Sequence, residues 1–221
     1  MAKNEILKVV KKDIENAKKI LYESDLILEV KGESTKEFSK NCYNITWNGK
    51  NSNSNIIYDN NIGIDFIMKE LLQNQQYSIL LYDRSLIQFE FIIENNIITK
   101  QRMLFIKRHN KIWDKEEIVS ISALQDVDFF DYFFESEGIP TMIRIDYDQE
   151  NSKDGVHPIS HMTLSNYETC RIPIKSLMSC TKFVLMILYH FYDLKIEDKF
   201  DDIVENTITE NERNMIHLNW T

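Results

Sequence analysis

Between Ile143 and Lys175 the chain reads IRIDYDQENSKDGVHPISHMTLSNYETCRIPIK, and no other stretch is as dense in groups that can move protons or meet anions. His157 and His161 stand four residues apart, with Arg144 and Asp146 upstream and Arg171 downstream. Two imidazoles with ordinary pKa values of about 6.5 can be held one neutral and one protonated at cellular pH, which makes an acid and base pair. Cleavage of RNA by its own 2′-hydroxyl needs such a pair, together with cations beside the phosphoryl oxygens. Arg144 and Arg171 could supply that charge, and Asp146 could hold one imidazole in the required tautomer.

Two other chemistries use the same residue types. On a helix, a four-residue spacing places both imidazoles on one face, as in metal-binding pairs. Here Gly155 and Pro158 favour a turn that enters a strand, and the glutamate of HExxH is replaced by Pro158, so neither a metal nor a cofactor is expected. In the remaining reading the histidines bond backbone carbonyls, and Arg144 with Asp146 is an ordinary ion pair across a strand face.

The elements that must position these groups follow from side-chain periodicity. As a strand, IRIDYD sends Ile143, Ile145 and Tyr147 to one face and Arg144, Asp146 and Asp148 to the other. HMTLSN alternates likewise, so pairing of the two segments would put His161 on the face of Arg144 and Asp146. The polar residues between, from Asp148 to Ser160, are expected to form a mobile cover.

Earlier in the chain, YSILLYD, IQFEFIIE and TKQRMLFIKR are separated by short polar breaks, the pattern of an antiparallel meander. A shorter strand is predicted from Cys42 to Trp47, followed by a turn or mobile loop at NGKNSNSN. The last meander strand and the turn beyond it hold Lys100, Arg102, Lys107, Arg108 and Lys111 beside Phe105 and Trp113. Basic groups interleaved with aromatics suit phosphate contact and base stacking, which makes this the candidate nucleic-acid surface, with a solvated strand face as the plain alternative.

Helices are predicted at about 4–24, where Ile6, Val10, Ile14, Ala17 and Leu21 recur at helical spacing, and from Ile62 to Leu72. An aromatic-rich helix is expected from Asp126 to Glu135, stopped by Gly138 and Pro140. CTKFVLMILYHFY, capped by Ser179, is apolar nearly all round and should be buried, His190 included. Thr207 with Glu210 suggests a capping box for a final helix at about 207–219.

With 221 residues and 43% hydrophobic content the chain is expected to form a single domain, 1–221. Its formal net charge of -9 argues against coating nucleic acid by bulk electrostatics. Cys42, Cys170 and Cys180 are odd in number and lack CxxC spacing, so neither a disulfide framework nor a zinc finger is indicated, and a reducing cytoplasm is the expected location. No signal core and no membrane span is expected.

The order RIDYD, HPISHMTL, CRIPI and a helix ending in HFY resembles a bacterial family, domain of unknown function 2290, over roughly Met142 to Tyr192. More loosely, a sheet followed by a charged strand and a histidine cluster resembles the small toxins of toxin–antitoxin pairs, some of which are ribonucleases. This chain is longer than those toxins and lacks their adjacent histidines. The resemblance implies a prokaryotic accessory protein.

The expected fold is α+β, a curved antiparallel sheet of about five to seven strands with the helices on one face. Two functions follow as expectations. One is a toxin- or defence-type effector acting on RNA through His157 and His161. The other is a non-enzymatic module that binds a partner such as a nuclease or ATPase through the first helix or Trp220.

Overall fold

A computed structural model describes residues 4–47, 54–110, 138–167, 169–197 and 207–215. Its centre is a pair of long strands, β5 (Leu86–Glu94) and β6 (Ile97–Asn110), joined at Asn95 and Asn96, whose φ angles of 50° and 66° are the left-handed values that a two-residue hairpin requires. β7 (Gly138–Asp148) runs antiparallel to β6 over its whole length, from Asn110↔Gly138 to Lys100↔Asp148. Beyond it lie β8 (Ser160–Leu164) and β9 (Arg171–Pro173).

On the other side, β5 pairs β4 (Ile79–Leu81) with its first residues and β3 (Cys42–Trp47) with its last. β1 (Ile27–Val30) and β2 (Glu33–Ser39) complete the edge against β4 and β3 respectively. The result is an α+β fold around one open antiparallel sheet of nine strands. That exceeds the five to seven expected, because β1 and β9 are only four and three residues long and β2 is polar and exposed along much of its length.

The helices divide between the two faces. α1 (Glu5–Glu23) and α3 (Cys180–Tyr192) cover one face, where Ile14, Leu21, Phe183 and Ile187 bury against Phe89, Phe91, Met103, Phe105 and Ile145. α2 (Ile64–Gln73) packs on the opposite face, with Ile67, Met68 and Leu71 against Leu104, Ile106 and Met142. The first helix and the Cys180–Tyr192 helix thus share one face as expected, and α2 adds cover to the other. Both faces of β6 are apolar in its middle, so each needs cover.

α1 buries its apolar stripe against α3 and the sheet. The Ser179 cap is present, its hydroxyl accepting from Lys182 N at 3.1 Å. The expectation that α3 is buried throughout fails in its last turn, where Tyr189 and His190 are exposed and pack ring to ring.

The final helix, α4 (Glu210–Met215), starts three residues later than expected. The reciprocal capping box is Thr209 with Glu212, Thr209 N donating to Glu212 Oε2 at 3.1 Å and Glu212 N donating to Thr209 Oγ1 at 3.0 Å. Lys111, Trp113, the helix expected at Asp126 to Glu135, and Trp220 lie outside the described residues. Among the described residues no helix is long and apolar enough to cross a membrane.

α1 and α3 are tied by one carboxylate. Buried Asp13 accepts hydrogen bonds from Cys180 N (2.6 Å), Thr181 N (3.1 Å) and Thr181 Oγ1 (2.7 Å), so it satisfies donors at the start of α3 that the helix cannot satisfy itself. Replacing Asp13 by Ala is expected to cost about 2 to 4 kcal/mol, the scale of charge-assisted bonds lost to buried donors, with Asn in between. The urea midpoint of the variants at unchanged m-value measures this, and a loss under about 0.5 kcal/mol would refute it.

Candidate active site

The site forms on the α2 face of the sheet, beyond the end of the apolar cover. Strand alternation sends Glu90 and Ile92 of β5, Lys100 and Arg102 of β6, and Arg144, Asp146 and Asp148 of β7 to that face. The register then lines up Glu90↔Arg102, Arg102↔Asp146 and Asp146↔His161, a row of alternating charge across four strands. A cavity of about 350 Å³ opens over it, and His157 and Arg171 line the same cavity.

The two arginines in this floor are deeply buried, Arg102 at 6% and Arg144 at 5% exposure. Arg102 forms an ion pair with Glu90 and donates from Nη1 to the Tyr58 hydroxyl at 3.1 Å. Arg144 donates from Nε to Asp146 Oδ2 at 2.6 Å and from Nη1 to the Ile57 carbonyl at 3.3 Å. Its guanidinium also stacks on the Tyr58 ring, 4.4 Å from the centroid. Tyr58 thus bridges both cations. It ends the 3-10 turn Ser54–Tyr58, and the chain just after it is held by Asn166, whose side-chain amide donates to the carbonyls of Asp59 (3.0 Å) and Ile62 (2.9 Å).

The histidines reach the cavity through a structured loop. The Asp148 carboxylate accepts from Glu150 N (3.0 Å), Asn151 N (3.1 Å) and Asn151 Nδ2 (2.7 Å), which turns the chain at the end of β7. Burial raises the Asp148 carboxyl, but the Asn151 donors and the Lys100 charge outweigh it and leave the group below its ordinary value. Further on, Lys153 and His157 exchange backbone hydrogen bonds of 2.8 and 2.7 Å around Gly155, whose φ of 67° suits a residue without a Cβ. Asp154 accepts from Thr209 Oγ1 and from Asn211 Nδ2 of α4. The expected mobile cover is instead a turn tied at both ends.

His161, 2% exposed, faces Asp146 across the β7–β8 ladder, Nε2 lying 3.7 Å from Asp146 Oδ2. Its Nδ1 is 3.0 Å from the Pro158 carbonyl, an acceptor, so Nδ1 carries the proton and Nε2 keeps its lone pair. Burial pulls the His161 pKa below its ordinary 6.5, against the opposing pull of Asp146 and of the Pro158 carbonyl, while His157 and Arg171 push it the same way as burial. The His157 ring lies edge-on to it at 4.9 Å between centroids, and its buried Nδ1 has no hydrogen-bond partner among the described residues. Among the described residues no three of His, Cys, Asp and Glu are arranged to hold a metal ion.

The structure therefore brings together His157, His161, Arg144, Asp146 and Arg171, and adds Lys100 and Arg102 from the basic strand. It separates Lys107 and Arg108 from them. Neighbours on a strand point to opposite faces, and both side chains are buried in internal pairs. Lys107 binds Asp83 and lies over the Tyr192 ring at 4.6 Å, and Arg108 Nε is 3.3 Å from Asp65 Oδ1. A continuous basic surface along this strand is thus corrected.

Tyr58 and Glu90 were not singled out in the sequence. Glu90 had a signal, a carboxylate flanked by Phe89 and Phe91 in a mostly apolar strand, where a charge needs a partner. Tyr58 had none.

The fold and site define an α+β protein with an open antiparallel sheet, one face of which carries an open, charge-lined cavity with two imidazoles edge to face. The chain belongs to the family described as uncharacterized conserved protein (DUF2290), whose model matches residues 27–220. No curated protein and no solved structure matches it.

Two outcomes are expected. Because the folded-state pKa of His161 is depressed, the unfolded chain binds its proton first as pH falls below about 6.5, so stability drops from there down through the folded pKa. His161→Gln should flatten that part of the melting-temperature profile between about pH 7 and 5; an unchanged slope would contradict the burial argument. Separately, Lys107→Ala should cost about 1 to 3 kcal/mol, because Asp83 loses its cation but keeps the Tyr192 hydroxyl and Ser85 N as donors, whereas Lys100→Ala, partly exposed and paired with Glu150, should cost under about 1 kcal/mol. Chemical denaturation of the two variants checks the ordering.

Proposed function

We propose that this protein is a metal-independent ribonuclease of effector type, acting in the cytoplasm, with His161 as the general base and His157 as the general acid. The observation that carries the reading is the placement of a buried His161, held with its proton on Nδ1 by Pro158 and with Nε2 3.7 Å from Asp146, in the wall of a cavity that His157 and Arg171 also line. A base needs a free lone pair and a pKa that leaves it neutral at working pH, and burial supplies the second condition.

In the step proposed, His161 Nε2 takes the proton of the RNA 2′-hydroxyl and the 2′-oxygen forms a bond to phosphorus. The bond from phosphorus to the 5′-oxygen breaks, and that oxygen takes a proton from His157. The products are a 2′,3′-cyclic phosphate and a free 5′-hydroxyl. Arg171 makes no ion pair among the described residues, so it is free to meet the phosphoryl oxygens. Arg144 and Arg102, each paired with a carboxylate, form the floor beneath. Asp146 lies close enough to His161 to steady the imidazolium as it forms.

Ribonuclease activity on mixed single-stranded RNA tests this. His157→Ala and His161→Ala are each expected to lower the rate at least about a hundredfold with the fold retained. Arg171→Gln should also reduce it, and the product should end in a cyclic phosphate. A protein that cleaves no RNA, and whose histidine variants only melt earlier, would leave the imidazoles a structural role and the chain a partner-binding one.

A further inference from the structure

Resting on that reading, we infer that the cavity accepts one nucleotide of single-stranded RNA, its base stacked on the Tyr58 ring and its phosphate beside Arg171 and the two imidazoles. Tyr58 is anchored as few exposed aromatics are. Arg144 supports one side of the ring at 4.4 Å, Arg102 holds the hydroxyl at 3.1 Å, and the adjacent Ile57 carbonyl accepts from Arg144. The residue nevertheless keeps 38% of its surface and lines the cavity. A ring already immobilised loses little side-chain entropy when a flat ligand settles on it. Stacking also tolerates any base, because every base has a π-face.

The division of charges points the same way. Arg102 and Arg144 are neutralised by Glu90 and Asp146, and Lys100 by Asp148 and Glu150, so these cations serve to hold the floor and the tyrosine. Arg171 has no carboxylate partner among the described residues and lies near enough to His161 to lower its pKa. An anion beside Arg171 would meet both imidazoles, and the base would use the part of Tyr58 left exposed by Arg144 and Arg102, whose guanidiniums lie 4.4 and 5.6 Å from the ring centroid. About 350 Å³ is at the small end of ligand sites, room for a nucleotide and not for a duplex.

Titration calorimetry on the full chain compares adenosine 3′-monophosphate, inorganic phosphate and adenosine. The nucleotide is expected to bind about tenfold or more tighter than phosphate, the scale of one base stacked on an aromatic. Tyr58→Leu should erase that advantage while phosphate still binds, Tyr58→Phe should keep it, and Arg171→Gln should weaken nucleotide and phosphate alike. Wild-type protein that binds nucleotide no tighter than phosphate overturns the inference, as does a Leu variant that retains the advantage. If Tyr58→Leu does not fold, the wild-type comparison together with Tyr58→Phe still decides. Nucleotide bound through Tyr58 by a protein that cleaves no RNA would sink the ribonuclease reading alone, whereas cleavage with an unchanged KM in Tyr58→Leu would sink the stacking alone.

Discussion

Two guanidinium groups buried in the middle of a sheet face are the constraint around which this structure is arranged. An ion taken out of water loses several kcal/mol of solvation, and the loss is tolerable only where a partner charge and further acceptors surround it. Arg102 and Arg144 find them in Glu90, Asp146, the Tyr58 hydroxyl and ring, and the Ile57 carbonyl, with Arg102 Nε left without a hydrogen-bond partner among the described residues. These groups come from β5, β7 and the turn after β3. The need to satisfy the two arginines therefore draws that turn over the sheet and with it forms one wall of the cavity.

The same requirement depends on register. A slip of one residue between β6 and β7 would turn Arg102 and Asp146 away from each other and send charged side chains into the core under α1 and α3. The long β5–β6–β7 ladders, with the Asn95–Asn96 turn, hold that register, and the apolar clusters on both faces penalise any alternative. Stability and site geometry thus come from one set of pairings. Asp13 does a comparable job on the opposite face, where a single carboxylate joins α1 to α3 and keeps the helix pair seated on the sheet.

The tightly held loop before β8 bears directly on the proposed chemistry. A histidine on a loose loop would have no fixed tautomer, and a proton acceptor must present the correct nitrogen before substrate arrives. The Asp148 turn, the Lys153–His157 bridge and the Asp154 contacts to α4 deliver Pro158 and His157 to fixed positions, and Pro158 then sets the tautomer of His161. Sites of this kind are effective when their support is rigid.

Much of this was legible in the chain itself, because short-range periodicity is a local property. The alternation in IRIDYD and HMTLSN determined that Arg144, Asp146 and His161 would share a face, and helical spacing determined α1 and α3 nearly to the residue. What local pattern does not carry is which strands become neighbours. Only the assembled sheet decided that Glu90 opposes Arg102, that α2 covers the second face, and that Lys107 and Arg108, adjacent in sequence, lie buried on opposite sides. Tyr58 is the clearest case. Nothing in the Asn- and Ser-rich segment around it marks a site, and its role arises from contacts with Arg102 and Arg144, which are 44 and 86 residues away along the chain by their numbering but adjacent in the folded sheet.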